Sequence, residues 1–250
     1  MLKKRVIPIL LIKNNDLVKS VKYKNHKYVG DPLNVVKIFN EKEVDELIVL
    51  DVAKSRNNDE LNYELIKSFA SECYMPLTYG GGIKNLKQAE KLFSLGIEKI
   101  LINSANFNDY QLIKNISRNF GSQSVIAAVD INKNLFNKFY LFDWIKKKKV
   151  QLDINTHIEN CIKNGAGELL MNFVFNEGTL SGFDTQWLDF INCKISIPLI
   201  VNGGINSMKN IEQCLECQRI DAIGVGAFFI YYGPHKAVLI SYTSNKGQQI

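Results

Sequence analysis

Short apolar runs alternate with amphipathic segments along the chain. Eight runs rich in β-branched and aliphatic residues predict strands, at 6–12, 46–51, 75–79, 99–103, 124–130, 168–174, 197–201 and 221–225. The segments between them repeat apolar residues at helical spacing, for example at 86–95, 110–120 and 208–217. Eight strands that alternate with helices predict an α/β protein whose fold is a single (β/α)8 barrel, or TIM barrel.

The chain nearly repeats itself at a spacing of 122 residues. The run 76–83, an apolar stretch that leads into a glycine turn, returns as 198–205. We interpret this as one domain covering 1–250 and built from two half-barrels, about 1–121 and 122–250. At the first strand the offset shortens to 119, and there Asp130, at the end of the fifth strand, has Leu11 as its counterpart.

Composition limits the class of protein. The chain has 250 residues, of which 46% are hydrophobic and 22% charged, and this suits one large domain without a linker. The N-terminus lacks the long apolar region of a signal peptide, and no apolar run approaches the ~20 residues that span a bilayer. We therefore expect a cytoplasmic protein that does not enter a membrane.

The positive charge does not predict a nucleic-acid partner. The net charge of +6 comes largely from scattered lysines, and the densest run, 146–149, joins two strand-like segments at 139–142 and 150–152. That placement predicts a solvated hairpin tip. Aromatic residues do not interleave with the lysines as they do on a nucleic-acid stacking surface.

The cysteines and histidines predict neither disulfides nor a metal site. Five cysteines form an odd set, and a core of this size does not require cross-links, so we expect free thiols. Cys214 and Cys217 form one C-x-x-C inside a helical pattern, which favours helix packing over zinc. The three histidines are dispersed. We expect no cofactor and no metal.

Glycine turns follow several predicted strands, at the barrel end that carries the chemistry in this fold. Backbone amides at helix N-termini bind phosphate, because their unpaired N–H groups and the helix dipole favour an anion. The turns pair across the repeat, which predicts a phosphate at each end of a ligand rather than turns that only close tight connections. The candidate phosphate-binding residues are Gly81, Gly82, Ser104, Gly178, Thr179, Gly203, Gly204, Gly226 and Ala227.

Seven short motifs run from the first strand to the last: RVIP at 5–8, GDP at 30–32, DEL at 45–47, GGGI at 80–83, NSA at 103–105, FGSQ at 120–123 and GAGE at 165–168. Together they resemble the cyclase subunit of imidazole glycerol phosphate synthase, a glutamine-dependent lyase of histidine biosynthesis. The resemblance implies a partner glutaminase that releases ammonia at the N-terminal barrel face. The ammonia then crosses the barrel and attacks a phosphorylated small molecule, a ribulosyl bis-phosphate. The products are imidazole glycerol phosphate and an aminoimidazole carboxamide ribotide.

The resemblance also implies two aspartates that act as general acid and base at the barrel mouth. Asp130 matches one of them, and the other falls on Leu11, which cannot transfer a proton. One acid–base group contributes ~10²–10⁴ in rate. Lys19, Asp51 and Asn103 match further family positions near the mouth. The alternatives are a helix N-cap for Asp51 and a solvated loop lysine for Lys19.

The other end of the barrel carries four charged candidates for an ammonia gate: Arg5, Glu46, Lys99 and Glu168. Counting with period two back from Leu11 places Arg5 on the inner face of the first strand, and Glu46 and Glu168 are equivalents under the repeat. All four match the family's charged layer. Buried charges are tolerated when paired, so two cations and two anions form a consistent ring. The alternative is a structural plug. Asp221 is a candidate fifth member.

Three further segments, 27–32, 39–47 and 233–242, together with Leu10 and Leu11, resemble a cyclase-like paralogue linked to surface-polysaccharide (lipopolysaccharide) amidation. That resemblance implies that the barrel and its glutaminase supply ammonia to a separate sugar amidotransferase. Three hypotheses therefore stand. The chain is an ammonia-conducting subunit of an amidation complex, a working cyclase, or a noncatalytic scaffold that binds a phosphorylated metabolite.

Overall fold

The computed structural model describes residues 4–54, 60–107 and 109–242. Within these ranges the strands are β1 Arg5–Lys13, β2 Asp16–Val21, β3 Lys24–Gly30, β4 Leu47–Asp51, β5 Leu77–Gly80, β6 Lys99–Ile102, β7 Val125–Lys133, β8 Phe139–Asp143, β9 Lys148–Lys149, β10 Glu168–Phe173, β11 Leu199–Asn202, β12 Ala222–Val225, β13 Tyr231–Tyr232 and β14 Ala237–Val238. The α-helices are α1 Pro32–Glu41, α2 Tyr63–Glu72, α3 Leu86–Ser94, α4 Gln111–Phe120, α5 Ile154–Lys163 and α6 Met208–Glu216.

Eight parallel strands close into a barrel. Their order around the barrel is β1, β4, β5, β6, β7, β10, β11 and β12, and β12 pairs with β1 to complete the circle. Each coincides with one of the eight predicted strands to within a few residues at its ends. The predicted (β/α)8 barrel is therefore confirmed.

The helices begin where the sequence supplies caps. Asp31 accepts a hydrogen bond from the Asn34 amide at the start of α1, with Pro32 in the first turn. Asn85 and Ser207 cap α3 and α6 in the same way. Cys214 is buried within α6, which agrees with the packing interpretation of the C-x-x-C. No helix in the described part of the chain is long and apolar enough to cross a membrane.

Two connections depart from the strand–helix alternation. In the described residues after β10 and β12, short 3-10 helices, Thr185–Phe190 and Ala227–Phe229, stand in place of an α-helix. Aromatic rings cover the barrel after β10, where Trp187 lies 5.6 Å from Phe173 and 5.3 Å from Phe183 between ring centroids. Large flat side chains bury enough apolar surface that a full helix is not needed there.

Two antiparallel hairpins extend the barrel at its C-terminal end. The first, β2–β3, follows β1, and the second, β8–β9, follows β7. The lysine run at 146–149 falls on the turn and short second strand of β8–β9, as expected for a hairpin tip. Both hairpins lie at the end of the barrel where the candidate chemistry is expected.

The period-two reading of β1 is confirmed. Ile7, Ile9 and Leu11 belong to the inner apolar cluster of the barrel, whereas Val6 and Leu10 belong to the larger core that includes the helices. This is the alternation that a barrel strand imposes on successive side chains. Leu11 is 2% exposed, so its side chain is part of the barrel interior.

Candidate functional site

A pocket of about 280 Å³ opens at the C-terminal ends of β4 to β7, and we call it the mouth pocket. It brings together three of the four candidate catalytic residues, Asp51, Asn103 and Asp130, with three of the candidate phosphate-binding residues, Gly81, Gly82 and Ser104. Its remaining polar or aromatic lining side chains are Tyr23, Lys84, Trp144 and Asn172.

Asp130 is one of two buried acids in the mouth pocket, the other being Asp51. Its carboxylate accepts hydrogen bonds from Asn172 Nδ2 at 2.7 Å and from Asn103 Nδ2 at 2.8 Å. Burial raises the pKa of Asp130 to about 6, although both amides favour the charged form. An acid with this pKa can give up or take a proton near neutral pH, which is the requirement for general acid–base chemistry.

Asn172 and Tyr23 were not identified from the sequence. Asn172 lies opposite Asp130 in the β10–β7 register, and its side-chain amide also donates to the Tyr23 hydroxyl at 2.9 Å. Asn202 Nδ2 donates to Asn172 Oδ1 at 2.8 Å, which fixes the orientation of that amide. The sequence does contain one indication of Asn172, because it is the single asparagine in the apolar run of the sixth predicted strand.

Leu11 occupies the position where the resemblance implies a second acid. Its side chain packs in the inner apolar cluster with Val18, Tyr23 and Val174. The β1 side of the mouth is therefore filled with apolar atoms. Asp130 faces this cluster without a carboxylate at position 11.

Lys19 is buried, so the solvated-lysine alternative is wrong. It is 2% exposed, and its Nζ donates to the Ile9 carbonyl at 2.9 Å. Burial lowers the pKa of Lys19 to about 8, partly opposed by the nearby Glu177 carboxylate. Asp51 has a capping role as well as its place in the pocket, because its Oδ1 accepts from the amides of Ala53 and Lys54 after β4.

The β2–β3 hairpin is fastened to the loop after β10 by Glu177. The Glu177 carboxylate accepts from the Tyr23 amide at 3.1 Å and from the Ser20 hydroxyl at 3.2 Å. Its backbone carbonyl accepts from the Lys22 amide at 2.9 Å. Burial raises the pKa of Glu177, although these donors and Lys19 favour its charged form. The hairpin thus lies closed over the β1 side of the mouth.

The remaining candidate phosphate-binding residues lie apart from the mouth pocket. A separate cavity of about 20 Å³, the second cavity, is lined by Gly178, Gly203, Gly204, Gly226 and Ala227. Thr179 is engaged elsewhere, since its hydroxyl donates to the Asn176 carbonyl at 2.8 Å. Within residues 4–54, 60–107 and 109–242, no group of three or more His, Cys, Asp or Glu side chains is arranged to hold a metal.

At the opposite end of the barrel, Arg5, Glu46, Lys99 and Glu168 form a closed ring of ion pairs, which we call the charged ring. Arg5 contacts Glu46 at 2.6 Å and Glu168 at 2.7 Å, and Lys99 contacts Glu46 at 2.9 Å and Glu168 at 2.7 Å. The Thr78 hydroxyl also donates to Glu46 at 3.2 Å. Each charge therefore faces two opposite charges at the N-terminal ends of the strands.

The ring favours the charged form of Glu168. Burial alone would raise the pKa of Glu168, but hydrogen bonds and charges from Arg5 and Lys99 outweigh it and hold that pKa below its ordinary value. The suggestion that Asp221 is a fifth member is corrected by the structure. Its carboxylate accepts from the Leu199 amide at 2.9 Å and so braces β11 instead.

The fold, the mouth pocket and the charged ring together define a class of protein. It is a (β/α)8 barrel with buried acids at the C-terminal end of the barrel and a ring of ion pairs at the N-terminal end. A profile of the family described as "Histidine biosynthesis protein" matches residues 5–236. The chain belongs to this family, which includes the HisF-like cyclase subunits of imidazole glycerol phosphate synthase.

Individual relatives agree. The chain is 44% identical over 242 residues to a Pseudomonas aeruginosa protein named "Putative imidazole glycerol phosphate synthase subunit hisF2", covering 97% of this chain and 96% of that protein. It is 40% identical over 250 residues to a HisF relative from Leptospira interrogans, covering 100% and 98%. It is 32% identical over 234 residues to the imidazole glycerol phosphate synthase subunit HisF of Streptococcus mutans, covering 93% and 92%.

Proposed function

We propose that this chain conducts ammonia in a cytoplasmic, glutamine-dependent amidation complex. A partner glutaminase, similar to the HisH glutaminase of the synthase, delivers ammonia at the N-terminal barrel face. The barrel passes it to a sugar amidotransferase that modifies a surface polysaccharide. The observation that carries the proposal is the combination of a complete charged ring with an apolar residue, Leu11, in place of the second acid.

The barrel interior supports passage of a neutral molecule. Between the charged ring and the mouth, the inner strand faces present buried apolar residues: Ile7, Ile9, Ile48, Ile126, Leu170 and Ile200. An apolar lining strongly disfavours the ammonium ion, because an unpaired charge loses its hydration there, whereas neutral ammonia loses much less. The ring of paired charges lies where ammonia would enter.

The mouth argues against full cyclase chemistry. Asp130 can donate or accept a proton, but it cannot serve both faces of one intermediate. Loss of one acid–base group removes about 3–5 kcal/mol of transition-state stabilisation, if the rate factor is ~10²–10⁴. The proposal retains a phosphorylated small molecule at the mouth, held by the backbone turns, because such turns need no acid to bind an anion.

Cyclase activity is the second candidate function. It is favoured by Asp130, whose pKa of about 6 suits acid–base catalysis, and by the relatives that carry the synthase name. In this reading another group replaces the acid missing at Leu11. A noncatalytic phosphate-metabolite binder is the third reading, and no specific observation favours it over the other two.

Two assays separate these functions. Coexpression with a cognate glutaminase should give a complex that co-elutes in size-exclusion chromatography, and absence of co-elution under all ligand conditions would contradict the ammonia route. With ammonium supplied directly at high pH, the purified chain should cyclise the ribulosyl intermediate little or not at all. Turnover in the ordinary enzyme range of ~1–10³ per second would instead establish a true cyclase.

A further inference from the structure

A groove of about 970 Å³ lies between the two hairpins at the C-terminal end of the barrel, and we call it the hairpin groove. The β2–β3 turn forms one wall, and the end of β7 with the β8–β9 turn forms the other. Tyr23 and Trp144 line both this groove and the mouth pocket, so these two rings separate the two spaces. The groove therefore adjoins the place where the ammonia route would end.

The hairpin groove is positively charged. Among the described residues that line it, none is Asp or Glu and four are lysines: Lys22, Lys24, Lys133 and Lys147. None of these lysines forms a salt bridge with another described residue. A concave surface with charge of one sign attracts a partner of the opposite charge and speeds their association.

The turn between β7 and β8 presents two adjacent apolar side chains, the tip pair, to solvent. Leu135 is 99% exposed and also lines the groove, and Phe136 is 85% exposed. Asn134 closes this turn, because its Oδ1 accepts from the amides of Phe136 at 2.9 Å and Lys138 at 3.0 Å. Single exposed apolar residues are common on protein surfaces. An adjacent pair on a hydrogen-bonded turn beside a groove is typical of the anchors of a protein interface.

We propose that the hairpin groove and the tip pair together form the docking surface for the protein that receives the ammonia. That protein presents an acidic segment to the groove and an apolar pocket to Leu135 and Phe136. Docking there covers the mouth, so ammonia passes to the acceptor without loss to water. The inference rests on the proposed ammonia route and adds the surface at which the receiving partner binds.

A membrane and a second copy of this chain fit this surface less well. A lipid surface would contact the protruding tip pair, but it would not enter the groove that carries the unpaired lysines. A symmetric dimer would place the same positive surface on both sides of the interface, where like charges repel. An acidic protein satisfies both the charge and the apolar pair.

Binding is measured by biolayer interferometry between a purified cognate sugar amidotransferase and the complex of this chain with a cognate glutaminase. Leu135→Ser with Phe136→Ser should weaken the affinity at least ~10-fold, because both anchors are lost. Lys24→Glu with Lys147→Asp should slow association at least ~10-fold at low salt and much less at high salt. Both lysines are exposed, and aspartate tolerates the left-handed backbone at position 147.

The matched control is Lys87→Glu with Lys209→Asp, which changes the net charge equally at exposed positions on α3 and α6. It should alter the affinity less than ~2-fold, as surface substitutions away from an interface do. All variants should still co-elute with the glutaminase, which binds the opposite end of the barrel. Equal binding by the wild type and by both pairs of test substitutions would overturn the inference.

Comparing glutamine-driven with ammonium-driven amidation separates this inference from the proposed function. We expect both test variants to lose most of the glutamine-driven product and to keep the ammonium-driven product. If the wild type and the test variants give equal glutamine-driven product, only the docking surface is wrong. If the wild type itself gives none, the ammonia route is wrong and the inference falls with it.

Two further measurements on the complex with the glutaminase, without the amidotransferase, detect other occupants of the surface. Sedimentation velocity would reveal self-association that Leu135→Ser with Phe136→Ser abolishes. Co-sedimentation with phosphatidylglycerol vesicles would reveal lipid binding that the same variant abolishes. Either result would assign the surface to a second copy or to a membrane and would overturn the inference.

Discussion

Asp130 shows how one buried residue couples pH to the stability of the barrel. Its folded-state pKa of about 6 lies above the unfolded value of 3.8, so the folded chain holds this proton more tightly. Below pH 4 both states are protonated, and above pH 6 both are ionised. This group therefore makes the protein less stable as pH rises from about 4 to about 6.

Replacement of Asp130 by Asn should remove that dependence. A folded-state pKa about two pH units above the unfolded value means that ionised Asp130 destabilises the folded state by roughly 3 kcal/mol at high pH. Asparagine removes this cost but loses one hydrogen bond to a neighbouring amide, which takes back about 1 kcal/mol. Asp130→Asn should thus be more stable than the wild type by on the order of 2 kcal/mol at pH 8, and not at pH 4. Urea unfolding at both values checks this, with the exposed Asp189→Asn as control. A variant less stable at pH 8 contradicts the explanation.

Leu11→Asp introduces the carboxylate that is missing from position 11. The side chain is enclosed by apolar neighbours, so an aspartate there loses apolar packing and buries a carboxyl group. The free energy of unfolding should fall by about 3 kcal/mol or more at pH 7. Leu11→Met, a volume-conserving control, should lose less than ~1.5 kcal/mol. If Leu11→Asp is as stable as wild type, water reaches position 11 in spite of its low exposure in the structure. Any cyclisation it gains measures what the rest of the site retains.

At the scale of elements, the β2–β3 hairpin depends on Glu177 for its closed position. Glu177→Ala removes the acceptor of the Tyr23 amide and the Ser20 hydroxyl. We expect hydrogen exchange at the Tyr23 amide to accelerate at least ~10-fold by local opening, with exchange in β6 unchanged. Glu212→Ala, an exposed change on α6, is the control. Unchanged exchange at Tyr23 would show that other contacts hold the hairpin.

The barrel strands were predictable because their cues are local. A β-branched run bounded by turn residues indicates a strand wherever it occurs, and all eight were found. The missing helix after β10 was not predictable, since aromatic contacts between Phe173, Phe183 and Trp187 decide it. The role of Tyr23 and Asn172 in the mouth pocket was also not predictable from the sequence. Their hydrogen bond joins residues 149 positions apart, and no local pattern marks such a pair.

For the whole molecule, the charged ring couples four charges that come from four different barrel strands or strand ends. Lys99→Met leaves Glu46 and Glu168 sharing Arg5 alone. Removal of one partner from a buried pair typically destabilises by about 3–5 kcal/mol, and the partial exposure of Lys99 places the expected loss near the lower limit, about 3 kcal/mol. Coupling of glutamine hydrolysis to amidation should fall as well.

A second substitution separates the charge effect from packing. In Lys99→Met with Glu46→Gln, one cation again balances one anion, and most of the lost stability should return. Thermal unfolding of the two single variants and the double variant gives the coupling free energy directly. Additive losses would show that the ring members act independently, and unchanged amidation in Lys99→Met would assign the ring a purely structural role.

The positions of the two tryptophans have a practical consequence. Trp144 packs edge to face against Tyr23 at the mouth, with 5.5 Å between ring centroids, whereas Trp187 lies in the aromatic cover beside β10. The chain has only these two. With Trp187→Phe, the intrinsic fluorescence of Trp144 alone would report ligand entry and hairpin opening. With Trp144→Phe, Trp187 would report global unfolding. The two processes can thus be followed optically in one protein without an attached label.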